Sequence, residues 1–464
     1  MSAPGSRPPE LRLAWGCVAG LALGAAGTWL RFALERTLRI DTHTLAFVLA
    51  SAASGLGLLL AGVCALRLAP RAGRISWGAL LGAGLAAQGV AFLSLPLTSS
   101  DVFQYLCYGE MLRAGVSPYL APPAVLGSSP LLVPAQWIHA FPSPYGPLLH
   151  LVARGAAAAG ARLGAPLWGG LWAFKAAMLA AVLAALAVAA RHLRAARPRE
   201  GREILAVLAL GPLLAWELPG QGHNDALPFL AVTVFLVAAA RERRHLAAAA
   251  LALGAAVKLT VLPLLGLYLL LEFRRSFRRA LSPSAASLVL LGACYASDLN
   301  GALRGIFLTV GGAEPRHAHS LVDLGCLALE ALGHPGASLA WCRALSIASC
   351  AACLTVLAWT AWRSRTLSQL ARGYLLFLLV LYLTTPWFQP WYVTWALPFL
   401  LVEPDPDWRR FLALFSVVTV VQWAAPLDPV TTVAGDLWAA HRLWRLLRPR
   451  ALDAEGEPGA GMAA

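Results

Sequence analysis

A short polar stretch after the third apolar run contains the first side chain that could act as an acid or a base. It reads SSDVFQY from Ser99 to Tyr105 and opens a predicted amphipathic helix of about fourteen residues. A carboxylate at the boundary between water and lipid can have its pKa tuned by partial burial, which suits Asp101 to the role of general base. Alternatively, Ser99 or Ser100 caps the helix and Asp101 interacts favourably with the helix dipole. The two roles are compatible.

A second polar stretch ends another apolar run and reads WELPGQGHND from Trp216 to Asp225. It contains Glu217, His223 and Asn224 at a predicted membrane edge, where polar groups are costly and ionisable residues are functional candidates. We expect His223 and Asp225 to orient a sugar or an acceptor hydroxyl. The alternative is that Asn224 and Asp225 cap the next helix. No second spaced set of histidine and acidic residues completes a metal site, so we predict none.

The predicted membrane and exterior segments contain a few cations that could stabilise a phosphate. Lys258 interrupts the apolar run 246–271, and Arg316, His317 and His319 lie in a predicted exterior loop. Arginine binds phosphate with two parallel hydrogen bonds, and histidine can donate a proton to it. Lys258 could instead extend its amine to the nearer membrane face, and the loop could be an ordinary solvated one.

Two clusters combine proline with aromatic residues. One spans residues 142–147 and contains Tyr145; the other spans 385–392 and contains Gln389 and Trp391. Aromatic walls of this kind could stack on sugar rings or polyprenyl chains. The alternatives are a rigid turn for the first cluster and an aromatic belt at the membrane interface for the second.

The composition of the chain predicts a membrane protein, in which apolar helices position these residues. Of 464 residues, 59% are hydrophobic and 13% charged, with a mean hydropathy of +0.65. Soluble domains carry about 25% charged residues, and a membrane span needs about 20 apolar ones. The recurring apolar runs predict an all-α, polytopic membrane protein with about eleven to thirteen transmembrane helices and exterior amphipathic helices. We assign 1–450 to a single transmembrane domain and 451–464 to a disordered tail.

The net charge of +14 could suggest a nucleic-acid partner, but the positions of the arginines exclude one. They cluster in short loops between apolar runs, which is the distribution of cytoplasmic loops. The predicted cytoplasmic sets are 191–202, 241–244, 274–279 and 363–372.

This charge distribution also predicts the topology. The N-terminus is cytoplasmic and 98–143 forms the first exterior loop. Consistent alternation requires that 146–190 contain one full span, with 148–161 in the interface or re-entrant. It also requires that 246–271 be broken near 254–263; the alternative is that one of the arginine loops is assigned to the wrong side. The side of the membrane for 437–450 stays open.

The order of these segments carries a family resemblance. They read SDVxxY with GxxPY, then PxPYGP, GHND, a lone membrane lysine and QPWY. Together they resemble the GT-C superfamily of polyprenol-phosphate-sugar-dependent glycosyltransferases, and within it the α-1,6-mannosyltransferases that use polyprenol-phosphomannose. The resemblance covers about residues 97–400. It implies an active site at the exterior membrane boundary, a lipid-linked donor, inversion at the anomeric carbon and a base at Asp101, and it carries the GHND positions onto 222–225.

We therefore predict an enzyme of the bacterial inner membrane that moves a hexose, mannose, from a polyprenyl-phosphate donor to a glycolipid or glycan hydroxyl on the non-cytoplasmic face. Asp101 is the predicted catalytic residue, and no cofactor is predicted. The predicted donor- and acceptor-binding residues are Tyr105, Tyr145, His223, Asn224, Asp225, Lys258, Arg316, His317, His319, Gln389 and Trp391. The alternatives are a transporter or lipid-linked sugar flippase, against which the lack of visible repeats argues, and a ligase that moves a whole lipid-linked oligosaccharide.

Overall fold

A computed structural model describes residues 9–38, 45–96, 99–135, 142–198, 200–296, 298–304, 325, 328–385, 388–403, 405–424 and 430–447. Throughout these ranges the regular structure is helical, and none of their residues lies in a strand. The predicted all-α class is confirmed.

The helices of the first two thirds are α1 (Pro9–Leu38), α2 (Leu45–Leu68), α3 (Trp77–Phe92), α4 (Asp101–Arg113), α5 (Pro147–Arg162), α6 (Pro166–Ala196), α7 (Gly201–Leu210), α8 (Pro212–Ala215), α9 (Ala226–Ala240), α10 (Arg244–Ala255), α11 (Leu262–Arg275) and α12 (Phe277–Tyr295). Later helices span Pro335–Arg363, Leu367–Thr384, Pro406–Ala424 and Val430–Leu447. Shorter helical turns of 3₁₀ or π type cover Ala69–Arg74, Pro123–Leu126, Trp216–Gly220, Leu259–Val261, Pro390–Trp395 and Leu397–Leu401.

Several of these helices are long and apolar enough to cross a bilayer. Within the described residues, five qualify by length and composition: Pro9–Leu34, Val48–Arg74, Pro166–Ala196, Arg343–Arg363 and Leu367–Thr384. A sixth forms if Gly201–Leu210 and Pro212–Gly220, bent by 42°, count as one span. The polytopic membrane class is thereby confirmed. Other predicted spans are short apolar helices such as α3 and α9, so the count of eleven to thirteen stays a prediction.

Helix α4 carries the first candidate residue, Asp101, and packs against α5. Helix α5 is buried at positions spaced by three or four residues, from Leu149 through Ala153 to Gly160, so it is amphipathic and too short to span. Helix α4 differs from the amphipathic prediction, since its consecutive residues 104–109 are all buried. Consecutive helical residues point about 100° apart, so α4 is enclosed on every side by its neighbours.

The run 246–271 is broken, as the topology requires. Helix α10 ends at Ala255, and α11 begins at Leu262 after a single 3₁₀ turn. Lys258 lies in this break with an extended backbone conformation. An interrupted helix of this kind frees backbone groups that neighbouring segments must satisfy. Here the loop before α5 does so, because Gly146 N donates to Val257 O over 2.9 Å and Leu148 N donates to Ala256 O over 3.1 Å.

The arginine sets predicted to be cytoplasmic contact one another in the structure. Arg197 donates to Glu403 O at 3.0 Å, and Arg372 pairs with the Glu403 carboxylate. Among the other arginine-rich segments, Arg244 pairs with Glu272 at 2.8 Å, and Arg274 donates to Trp362 O at 3.1 Å. These contacts gather the arginine-rich segments at one end of the bundle, which we call the arginine end.

Candidate active site

Asp101 is the first residue of helix α4, and its side chain is only partly buried. It is 22% exposed. Ser99 Oγ accepts a hydrogen bond from the Asp101 amide at 3.2 Å, and Tyr105 OH, one turn later, donates to Asp101 Oδ2 at 3.2 Å. Burial raises the pKa of Asp101 to about 6, although Lys258 and the tyrosine act in the opposite direction. A carboxylate with such a pKa is ionised at neutral pH and accepts a proton more readily than an ordinary aspartate.

The turn at 220–225 places His223 against Asp101. Gly222 has φ +78°, and a Cβ there would lie 3.1 Å from a methyl of Val102 and 3.2 Å from Lys175 Cγ, so this turn requires glycine. His223 is fully buried, with Nδ1 3.7 Å from Asp101 Oδ2 and Nε2 3.3 Å from Glu217 Oε2. Burial and the charge of Lys258 hold the pKa of His223 well below its usual range, so the imidazole is neutral.

Asp225 begins the segment leading into α9, but its side chain does not cap that helix. Instead Oδ1 accepts hydrogen bonds from Lys258 Nζ at 2.8 Å and from the indole of Trp395. Asp225 is fully buried and the Lys258 side chain is 12% exposed, so the pair lies in a medium where electrostatic interactions are strong. The capping alternative for Asp225 is therefore wrong.

Aromatic rings enclose Lys258 and His223. The Lys258 ammonium lies 5.8 Å from the ring centre of Tyr145, 5.3 Å from that of Tyr392 and 4.9 Å from that of Trp395. These distances allow cation–π attraction. On the other side, Trp391 stacks on the His223 imidazole with ring centres 3.7 Å apart and planes 21° apart. Both polar groups therefore lie against aromatic side chains.

The loop that carries Tyr145 packs closely, backbone against backbone, on the helix break that carries Lys258. A Cβ on Gly146 would lie 2.0 Å from Ala256 O, so only glycine allows this approach. Tyr145 in turn makes an edge contact with Tyr105, with ring centres 5.2 Å apart. The PxPYGP segment thus links Asp101 on α4 to Lys258 through its backbone and its tyrosine.

Several buried polar atoms at the centre of the cluster have no hydrogen-bond partner in the described part of the chain. They are both side-chain polar atoms of Asn224, Oδ2 of Asp225 and both carboxyl oxygens of Glu217. Native proteins rarely leave such atoms unsatisfied, and exceptions often mark a site for a ligand or water. The cluster can therefore accept and orient polar groups of a substrate.

The structure brings most of the predicted site residues together. Asp101, Tyr105, Tyr145, His223, Asp225, Lys258 and Trp391 form one connected cluster, with Asn224 buried inside it. Gln389 is buried just before the turn Pro390–Trp395, where its carbonyl accepts from the Tyr392 amide at 3.0 Å. Arg316, His317 and His319 lie outside the described residues.

Sequence reasoning named Glu217 and Tyr392 only as members of wider groups of candidates, and it did not name Trp395. Glu217 is marked by its membrane position alone, whereas its contact with His223 depends on the π-type turn between them. Tyr392 lies in the aromatic cluster 385–392, which also suits an interface belt, and Trp395 lies three residues beyond it. Their short distances from Lys258 place both beside the candidate site. Among the described residues, no group of three or more histidine, cysteine or acidic side chains has the geometry of a metal site.

Comparison with known proteins decides the family. The family model described as α-(1→6)-mannopyranosyltransferase, N-terminal domain, matches residues 12–274, more than half of the chain. The chain belongs to this family. It is accordingly a GT-C mannosyltransferase and a glycosyltransferase by activity, and the matched range contains Asp101, the turn 222–225 and Lys258. No curated protein and no solved structure matches the chain.

Proposed function

We propose that this mannosyltransferase takes mannose from a polyprenyl-phosphate donor and transfers it to a hydroxyl of a glycolipid or glycan, on the non-cytoplasmic face of a bacterial inner membrane. The observation that carries the proposal is the position of Asp101. Asp101 is a partly exposed carboxylate with a raised pKa. It lies next to buried polar groups, several of whose atoms have no hydrogen-bond partner among the described residues.

The proposed reaction is a direct displacement with inversion. The acceptor oxygen forms a new bond to the anomeric carbon while the bond from that carbon to the donor phosphate breaks. Asp101 accepts the hydroxyl proton, and the electron pair of the broken bond leaves with the polyprenyl phosphate. A positioned base contributes about 10² to 10⁴ in rate. His223 orients the sugar or the acceptor, because its Nδ1 lies 3.7 Å from Asp101 Oδ2. Asn224, the next residue, can assist with the side-chain atoms that have no hydrogen-bond partner among the described residues.

Lys258 supplies positive charge to the departing phosphate. Its ammonium has three N–H groups, and Asp225 is its hydrogen-bond acceptor in the described part of the chain. The remaining N–H groups can bind phosphate oxygen as negative charge develops on it. The Lys258 side chain is only 12% exposed and lies against aromatic rings, so this stabilisation is stronger than it would be in solution. We propose Arg316, His317 and His319 as further phosphate-binding residues.

A lipid-linked donor fits the placement of the cluster in a membrane protein. The polyprenyl chain is apolar and stays in the bilayer, so its phosphate lies at the membrane boundary. Gln389 and Trp391 begin the aromatic turn next to His223, which suits contact with the sugar or the first prenyl units. The proposed donor thus explains why the polar cluster is built from the ends and breaks of apolar helices.

The length of helix α6 supports an active site on the face opposite the arginine end. Lys175 of α6 contacts the turn at Gly222, whereas Arg191 and Arg194 lie near the C-terminal end of the same helix. From Lys175 to Arg194 the helix rises about 28 Å, close to the thickness of the hydrocarbon core, about 30 Å. With arginine-rich loops on the cytoplasmic side, the Asp101 cluster would face the exterior.

The donor can be tested with purified protein in liposomes. Polyprenyl phosphate carrying radiolabelled mannose and GDP-mannose carrying the same label are offered separately with a mannosyl glycolipid acceptor. We expect transfer from the lipid-linked donor alone and release of the label by an α-1,6-specific mannosidase. Transfer from GDP-mannose at an equal or higher rate would contradict the proposed donor.

A further inference from the structure

An open groove of about 580 Å³ lies between helices α3, α6 and α7, far from the Asp101 cluster. Its walls are almost entirely apolar and include Leu81 and Leu85 of α3 and Leu183 and Ala187 of α6. Two charged residues, Arg191 and Arg194, line the remaining part, at the arginine end. A groove with this volume is in the range that holds a ligand, and its combination of surfaces suits an amphipathic one.

The two arginines of the groove differ from their neighbours in lacking acidic partners. Arg197 and Arg409 both approach Glu200, at 4.0 and 3.4 Å, and Arg372 pairs with Glu403. Neither Arg191 nor Arg194 forms an ion pair with any carboxylate that the structure describes. Arg194 lies instead over the ring of Trp77, 5.8 Å from its centre, at the start of α3. The groove therefore carries two positive charges that no carboxylate of the described residues neutralises.

The length of the groove matches one leaflet of a bilayer. From Leu183 to Arg194 helix α6 rises about 16 Å, and half of a hydrocarbon core is about 15 Å. The apolar walls thus run from the middle of the bilayer to its surface, and the arginines lie at the level of lipid head groups. Trp77 at the same end is a residue typical of that interface.

We propose that this groove is a binding site for an anionic glycerophospholipid, with an acyl chain between α3 and α6 and the phosphate bound by Arg191 and Arg194. Basic pockets between transmembrane helices bind anionic lipid head groups, and arginine binds phosphate with two parallel hydrogen bonds. The site is separate from the mannosyl-transfer cluster, because about 28 Å of α6 divides Arg194 from Lys175. The proposal does not depend on the identity of the sugar donor.

Native mass spectrometry of the full-length protein tests the proposal directly. The protein is purified in detergent, stripped of lipid and titrated separately with phosphatidylglycerol, phosphatidylcholine and undecaprenyl phosphate. We expect phosphatidylglycerol to bind at least about tenfold more tightly than phosphatidylcholine. Both lipids have a phosphodiester, but the choline ammonium cancels its charge and is repelled by Arg191 and Arg194. Equal binding of the two phospholipids, or preferential binding of undecaprenyl phosphate, would overturn the assignment.

Variants locate the binding within the groove. Arg191→Gln combined with Arg194→Gln should weaken phosphatidylglycerol binding about tenfold or more, and Ala187→Phe should weaken it by filling the apolar part. The matched control replaces two exposed arginines on α12, Arg278→Gln with Arg279→Gln, which removes the same charge away from the groove. That control should bind lipid like the wild type. Unchanged binding in both groove variants, or an equal loss in the control, would contradict the site.

Discussion

Two ion pairs of the same length show how the two ends of this molecule differ. Lys258 lies 2.8 Å from Asp225 in the Asp101 cluster, and Arg244 lies 2.8 Å from Glu272 at the arginine end. Both carboxylates are buried, with 0% and 2% of the side chain exposed. At Glu272 the other oxygen is also paired, with Arg275 at 3.0 Å. At Asp225 the other oxygen has no partner among the described residues.

We propose that the difference separates a structural pair from a functional one. A fully paired carboxylate joins helices and offers nothing to a ligand, as Glu272 does between α10 and α11. An incompletely satisfied polar network in a low-dielectric region is costly, and it is retained where a substrate completes it. Asp225 and its neighbour Asn224 belong to this second kind. The predictions that follow test this division.

The largest effect should come from removing the base. Asp101→Asn keeps the shape of the side chain but cannot accept the acceptor proton, so we expect the turnover number to fall about 10² to 10⁴-fold. The measurement is transfer of radiolabelled mannose from polyprenyl phosphate by purified protein. Glu110→Gln on the same helix is the matched control, because Glu110 pairs with Arg113 rather than with the cluster. It should stay within about twofold of the wild type. Near-normal turnover by Asp101→Asn would remove Asp101 from this role.

Removal of the cation in the cluster should have the next largest effect. Lys258→Met keeps much of the side-chain length but removes the charge that we assign to the departing phosphate. Loss of one preorganised donor to a developing negative charge costs about 10² to 10³ in turnover, and we expect a loss of that size. The thermal unfolding midpoint, measured in parallel, shows how much of the loss comes from destabilisation, because Asp225 is left without its Lys258 partner. A folded Lys258→Met protein with full turnover would contradict the phosphate role.

The matched change at the arginine end should affect folding and spare catalysis. Arg244→Met removes one partner of Glu272, whose other partner Arg275 remains. We expect the free energy of unfolding to fall by about 1–3 kcal/mol, because hydrogen bonds to charged groups contribute on that scale. Turnover per folded molecule should change by less than about twofold. A large loss of turnover with normal stability would show that the two ends are not functionally distinct.

Local patterns in the sequence predict the elements that carry the site. The start of the polar helix at Asp101, the interruption of 246–271 and the grouping of the arginine loops all follow from short-range signals of charge and hydropathy. The family resemblance adds the expected partners of Asp101 by motif. These signals are strong because a membrane tolerates few polar residues, so each one stands out.

Long-range contacts supply the rest and leave no local trace. Trp395 donates to Asp225 across 170 positions of sequence, and nothing near either residue indicates the other. Glu217 meets His223 only because a π-type turn brings their side chains together. The enclosure of α4 on all sides likewise depends on α5 and α6, which the residues of α4 do not specify.

The pH dependence of transfer tests the central claim most directly, which is that Asp101 acts as the base within this cluster. Its raised pKa, about 6, means that the carboxylate is ionised above that pH and protonated below it. We predict that kcat/KM with polyprenyl-phosphate mannose is level between about pH 7 and 8 and falls about tenfold per pH unit below 6. In Asp101→Asn this acidic limb should disappear from the residual activity. A wild-type profile that is flat down to pH 5, or a limb that persists unchanged in Asp101→Asn, would contradict the account.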